Sequence, residues 1–80
     1  MIKNIKWFLR IGDDYLEDAK CYRTKQDAVR AYREVATELY RYGQTLQASL
    51  HIAQNKDEVV EYPDYVLSLS HSGRVVLDRT

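Results

Sequence analysis

The stretch from Thr24 to Gly43 constrains the fold more than any other part of the chain, because it carries helix signals at both ends and sorted residues between them. Thr24 supplies a hydroxyl suited to an N-cap, and Asp27 stands three residues on, in the place of a capping-box acid. Gly43 sits where a C′ glycine ends a helix. On a 3.6-residue wheel, Ala28, Tyr32, Val35, Ala36 and Leu39 share one side. Gln26, Arg30, Arg33, Thr37 and Arg41 fall nearly opposite, with Asp27, Glu34 and Glu38 as an acidic row beside them. The pattern predicts one helix that rests on an apolar layer and shows water a charged, ordered surface.

The flanking segments read as strands. Residues 4–11 alternate, with Ile5, Trp7, Leu9 and Ile11 on one side and Lys6, Phe8 and Arg10 on the other. Gly12, Asp13 and Asp14 form a turn signal. Residues 15–23 read as a second strand, because the turn before them suits a hairpin; Leu16, Ala19 and Tyr22, three apart, keep a short helix as the alternative. Residues 45–52 alternate most cleanly, with Leu46, Ala48, Leu50 and Ile52 against Thr45, Gln47, Ser49 and His51. The run Val59–Tyr62 could extend the pairing, and Pro63 ends it. Tyr65, Leu67 and Leu69 alternate with Val66, Ser68 and Ser70, Ser72-Gly73 suits a two-residue turn, and Val75–Leu77 returns.

The order predicted is β-β-α-β-β-β in one compact domain over residues 1–80. This is an α+β fold, with a mainly antiparallel sheet of four to five strands and one helix packed on one face. The expected core is Ile5, Trp7, Leu9, Ile11, Tyr32, Val35, Leu39, Leu46, Leu50, Ile52, Leu67, Leu69 and Leu77. A single helix covers one side of such a sheet. The other side, carrying Lys6, Phe8, Arg10, Ser49, His51 and Val66, is expected to face solvent, a partner, or a second copy of the chain. The terminal strands leave edges that a partner strand could extend.

Composition narrows the function. Twelve basic and twelve acidic residues cancel, so no overall field draws the chain to nucleic acid or an anionic membrane. Seven tyrosines suit contact surfaces as well as a thin core. Cys21 is alone, which excludes an internal disulfide framework. No apolar run approaches the roughly 20 residues of a membrane span. The opening Met1–Leu9 stretch lacks a long apolar region and a small-residue cleavage site, so a cytoplasmic setting is expected.

No catalytic constellation stands out. Ser49, Ser68, Ser70 and Ser72 have no nucleophile-elbow surroundings, and His51, His71 and Cys21 lack metal-ligand spacing. Cys21 lies between the basic residues Lys20 and Arg23, a setting suited to a nucleophilic thiol, yet it also reads as a small strand residue. Neither a phosphate-cradling loop nor a dinucleotide fingerprint is present. No enzyme, metal or cofactor is therefore expected.

What remains is surface. Arg30, Arg33 and Arg41, with Tyr40 alongside, are the expected contacts on the exposed helix side. Asp13, Asp14, Asp57 and Glu58 are the acidic alternative, within clusters completed by Glu17, Asp18, Glu61 and Asp64. The same arginines, with tyrosines near them, could serve a nucleic-acid-binding module, although Asp27 and Glu38 can pair with Arg30 and Arg41 at helical spacing.

The succession of two strands, a Thr-capped helix, a strand and the hairpin around Ser72-Gly73 resembles very small proteins of phages and mobile elements, anti-CRISPR proteins among them. The resemblance spans most of the chain as a layout. It implies a protein partner, blocked by direct binding without catalysis, and it assigns no individual residue.

Overall fold

In the computed structural model, which describes residues 4–80, five antiparallel-paired strands form one open sheet in the order β2-β1-β3-β4-β5. The strands are β1 (Lys6–Ile11), β2 (Lys20–Tyr22), β3 (Ala48–Ala53), β4 (Tyr65–Leu69) and β5 (Val75–Arg79), and the one helix, α1, is Lys25–Tyr40. The expected α+β architecture is the one observed. Both β2 and β3 run antiparallel to β1, so they are parallel to each other, and α1 carries the chain across β1 between them.

The helix starts and stops where its caps dictate. The Thr24 hydroxyl accepts from the Asp27 N–H at 3.1 Å, which satisfies one of the free donors of the first turn. At the other end Gly43 takes φ +75°. Its N–H donates to the Tyr40 carbonyl, and the Gln44 N–H donates to the Leu39 carbonyl, both at 3.0 Å. This pair of bonds is a Schellman closure, and the positive φ is what requires glycine there.

The main core lies between α1 and the sheet. Tyr32, Ala28 and Ala36 of the helix pack on Leu9, Ala48, Leu50 and Leu67, with Trp7, Ile11, Leu46, Leu69 and Leu77 partly buried around them. The small alanines allow the helix to approach the sheet closely. Four expected core residues lie outside this core: Ile5 is 49% exposed and Val35 is 42% exposed, and Leu39 and Ile52 are half-buried without joining it. Ile5 precedes β1. Val35 sits on the helix flank above β2, where a three-residue strand is too short to cover it.

Several local expectations change. Residues 15–23 divide into a 3₁₀ turn, Leu16–Asp18, followed by β2, so the strand is shorter than expected and part of the segment is helical after all. Strand β3 begins at Ala48 rather than residue 45. Ahead of it, the Gln47 carbonyl accepts from the Gly12 N–H, one step beyond the Ile11–Ala48 pair, and the Leu46 carbonyl accepts from the Tyr32 hydroxyl, outside the ladder. The last hairpin has a three-residue loop, His71-Ser72-Gly73, instead of a two-residue turn. The Gly73 N–H donates to the Ser70 carbonyl, and the Ser70 N–H donates to the Arg74 carbonyl. Gly73 at φ +81° takes the left-handed position that this loop type needs.

The largest correction concerns the second sheet face. Residues 59–62 form no strand. The segment from Gln54 to Asp64 instead crosses this face as a strap, with a 3₁₀ turn at Lys56–Glu58. Val59 from the strap packs on Phe8, Ala19 and Ala53. Phe8 is 3% exposed and His51 1% exposed, so the centre of the face expected to be open is a second small core. The Asp64 carboxylate accepts from the Ile52 N–H at 2.7 Å, and the Asp64 N–H donates to the Leu50 carbonyl at 2.9 Å. These bonds anchor the end of the strap to β3.

No helix among the described residues is long and apolar enough to cross a membrane. The residues 1–3 that open the leader reading lie outside the described residues.

Candidate functional site

The helix divides the upper surface of the molecule into two grooves of opposite charge. Its position over the sheet follows from the buried Ala28-Tyr32-Ala36 stripe, which fixes the rotation of α1 and sends its charged rows to either flank.

The groove on the β4–β5 side is basic. It is lined by Lys25, Gln26, Val29, Arg30 and Arg33 of α1 and by Tyr65 and Leu77 of the sheet, and it is an open depression of about 610 Å³. No carboxylate lines it. Among the described residues the ion pairs are Arg10–Glu61 and Arg41–Glu38, so Lys25, Arg30 and Arg33 meet no carboxylate partner there. The Lys25 ammonium lies over the Tyr65 ring at 5.3 Å from its centroid, a cation–π contact that holds the amine at the groove wall. The Tyr65 ring also meets Trp7, with centroids 6.3 Å apart and the planes tilted by 35°. Arg79 is the cross-strand partner of Tyr65 in the β4–β5 register, on the same sheet face, although it does not line the groove.

The groove on the β1–β2 side is acidic. Asp14, Asp18 and Glu34 rim a floor of Leu9, Ile11, Tyr22, Ala31 and Val35, with Lys20 as the one cation. Both grooves therefore pair a charged rim with an apolar floor, and one helix separates them.

The expected contact residues do not form one site. Arg30 and Arg33 share the basic groove. Arg41 lies at the C-cap, about 12 Å further along the helix axis, and pairs with Glu38 at 3.6 Å. Tyr40 is engaged elsewhere: its hydroxyl donates to the His71 carbonyl at 2.5 Å, and its ring lies beside Gly73, so it fastens the last hairpin to the helix. Asp14 belongs to the acidic groove, whereas Asp13 lines a recess at the opposite end with Tyr40 and His71. Asp57 and Glu58 lie on the strap. Glu58 accepts from the Gln54 N–H at 3.2 Å and closes the local turn.

Residues that the sequence pattern did not single out complete both grooves. Leu77 was expected as core, Tyr65 stood only in the alternation of its strand, and Lys25 was not among the expected contacts. Asp18 and Glu34 were not ranked above the other acids. The β4–β5 register is the long-range signal that brings Tyr65 and Leu77 under Lys25 and Arg30.

Beneath the strap lies a polar chain. Glu61 accepts from Arg10 at 3.3 Å, Arg10 Nε donates to Ser49 Oγ at 3.2 Å, and Ser49 Oγ is 2.9 Å from His51 Nε2. Ser49 Oγ accepts from Arg10 and also meets Nε2, which is the acceptor in one tautomer of the neutral ring and the donor in the other. Val60 approaches the ring, but no hydrogen bond closes on Nδ1. Burial pushes the His51 pKa down. Arg10 adds to that, while Val60, Asp64 and Glu61 oppose it. A serine and a histidine in contact invite a catalytic reading, but both are buried, and no acid orients the second ring nitrogen. Cys21 is exposed and sits on the same face, with β1 between it and His51. Among the described residues no group of three or more His, Cys, Asp or Glu side chains is arranged to hold a metal.

Comparison with protein-family models, curated proteins and solved structures finds no match. The geometry of the two grooves is the basis for a functional reading.

Proposed function

We propose that this chain is a non-catalytic protein-binding module that acts by occupying a partner's surface with its helix layer. The observation that carries the reading is the separation of charge across α1: a cationic groove on one flank and an anionic groove on the other, each with an apolar floor. Opposed patches of this kind orient a partner and speed its encounter, while the apolar floors contribute the desolvation that holds it. Such an arrangement fits an inhibitor that covers a functional surface, the mode implied by the resemblance in layout to very small phage and mobile-element proteins such as anti-CRISPR proteins, which often block a defence complex by direct binding.

A second reading has its own support. The basic groove joins several cations to an aromatic ring, the combination used by single-strand nucleic-acid modules.

The test is affinity capture from a host lysate with the parent protein and three variants. The parent retains a partner. Arg30→Glu/Arg33→Glu or Asp14→Lys/Glu34→Lys releases it, and Cys21→Ala has no effect. Retention that is equal in all forms, or retention that disappears on nuclease treatment, would count against protein binding by this layer.

A further inference from the structure

We infer that the basic groove between α1 and the β4–β5 hairpin is a docking site for an acidic peptide segment that also carries apolar side chains. This rests on the protein-binding reading above and names the chemistry of the partner for one of its two grooves.

Three features select this occupant. The first is charge: Lys25, Arg30 and Arg33 line the groove and no carboxylate does. Among the described residues Arg30 and Arg33 form no ion pair and remain available for charge-assisted bonds, and they can grip a carboxylate with two parallel N–H donors. The second is the floor. Val29 and Leu77 offer apolar surface between the cations, so a ligand that is only charged would leave that surface wet. A segment alternating acidic and aliphatic side chains matches both elements. The third is the strand beneath. β5 is the outer strand of the sheet, with one row of backbone donors and acceptors unpaired, and an extended peptide could lie along it while its side chains enter the groove.

The same features disfavour a nucleic acid. The Tyr65 ring has the Lys25 ammonium over it and Trp7 beside it, which leaves little free π-face for base stacking. Asp14, Asp18 and Glu34 occupy the opposite flank of the same helix, where a polyanion extending beyond the groove meets repulsion rather than further phosphate contacts.

The experiment is a titration of the isotope-labelled protein, followed by amide chemical shifts. The probes are a synthetic peptide of alternating glutamate and leucine, the same peptide with lysine in place of glutamate, and an oligothymidylate of equal charge. The expected result is binding of the Glu-Leu peptide, with shifts at Lys25, Val29, Arg33 and Leu77. Affinity should fall with added salt, and by about tenfold or more on Arg33→Glu. Arg33→Lys should retain part of it, since the charge remains and the two-pronged donor is lost. Absence of binding, equal binding of the lysine peptide, or tighter binding of the oligonucleotide would overturn the assignment. The broader reading fails separately. A captured partner that is indifferent to Arg30→Glu/Arg33→Glu but lost with Asp14→Lys/Glu34→Lys preserves protein binding and overturns this groove's role.

Discussion

The Tyr32 hydroxyl donates a 2.6 Å hydrogen bond to the Leu46 carbonyl, and so the centre of the helix is tied to the segment that leads into β3. Tyr32 is fully buried, and burial raises its pKa. This one side chain fills the core between α1 and the sheet and also satisfies a carbonyl outside the ladder. Tyr32→Phe keeps the ring and loses the bond, and it should cost about 1–2 kcal/mol, measured from the urea midpoint. Tyr32→Ala should cost about 3–5 kcal/mol by leaving a cavity. In a domain whose whole stability is on the order of 5 kcal/mol, that variant should be largely unfolded.

The helix ends supply a second prediction. Thr24→Ala removes the acceptor for the Asp27 N–H and should cost about 1 kcal/mol. Gly43→Ala forces a Cβ onto a backbone at φ +75°, although nothing crowds that position. Its cost, about 1–2 kcal/mol, should therefore come from backbone strain alone. Amide exchange at the ends of α1 should rise in each variant, with the sheet amides following only the global change.

Phe8 tests the strap. On a solvated face its replacement would be nearly neutral. Packed under Val59 beside Ala19 and Ala53, Phe8→Leu should cost up to about 1.5 kcal/mol, and Phe8→Ala about 3–5 kcal/mol. Urea denaturation distinguishes the two situations directly.

These three sites also mark what the sequence makes legible. The caps at Thr24 and Gly43 are readable because each acts on backbone groups a few residues away. The Ala28-Tyr32-Ala36 stripe is readable from helical period. Alternation assigns Phe8 and His51 to the second face correctly, but it carries no information on what covers that face. The strap has no period of its own, and its hold depends on Asp64 reaching β3 and Glu61 reaching Arg10. Val35 fits the apolar stripe equally well, yet it is exposed because β2 is short. In the basic groove, Arg30 and Arg33 follow from helical spacing. Tyr65 and Leu77 join them only through the register of β4 with β5, which local pattern does not specify.

His51 predicts a pH dependence. Its folded-state pKa is lowered, with burial as the largest cause, so the unfolded chain binds the proton more readily than the folded one. Stability should be fully present above the unfolded value of about 6.5 and should fall as pH drops below it toward the lower folded pKa. Protonation would add charge to a ring that already faces Arg10 through Ser49, with Glu61 and Asp64 as the nearby carboxylates. Urea midpoints between about pH 7 and pH 5 should decline in the parent and stay nearly flat in His51→Gln. An equal decline in both would remove His51 as the cause.

The central claim is that recognition occurs through the charge-divided helix layer and not through the strap-covered face. The most direct measurement is the amide-shift footprint of the captured partner on the isotope-labelled protein. The account predicts shifts along the flanks of α1 and beside them, at Lys25, Arg30, Arg33 and Leu77 or at Asp14, Asp18, Glu34 and Val35. A footprint confined to Cys21, Val66, Ser68, Val76 and the strap, with both helix flanks silent, would contradict it.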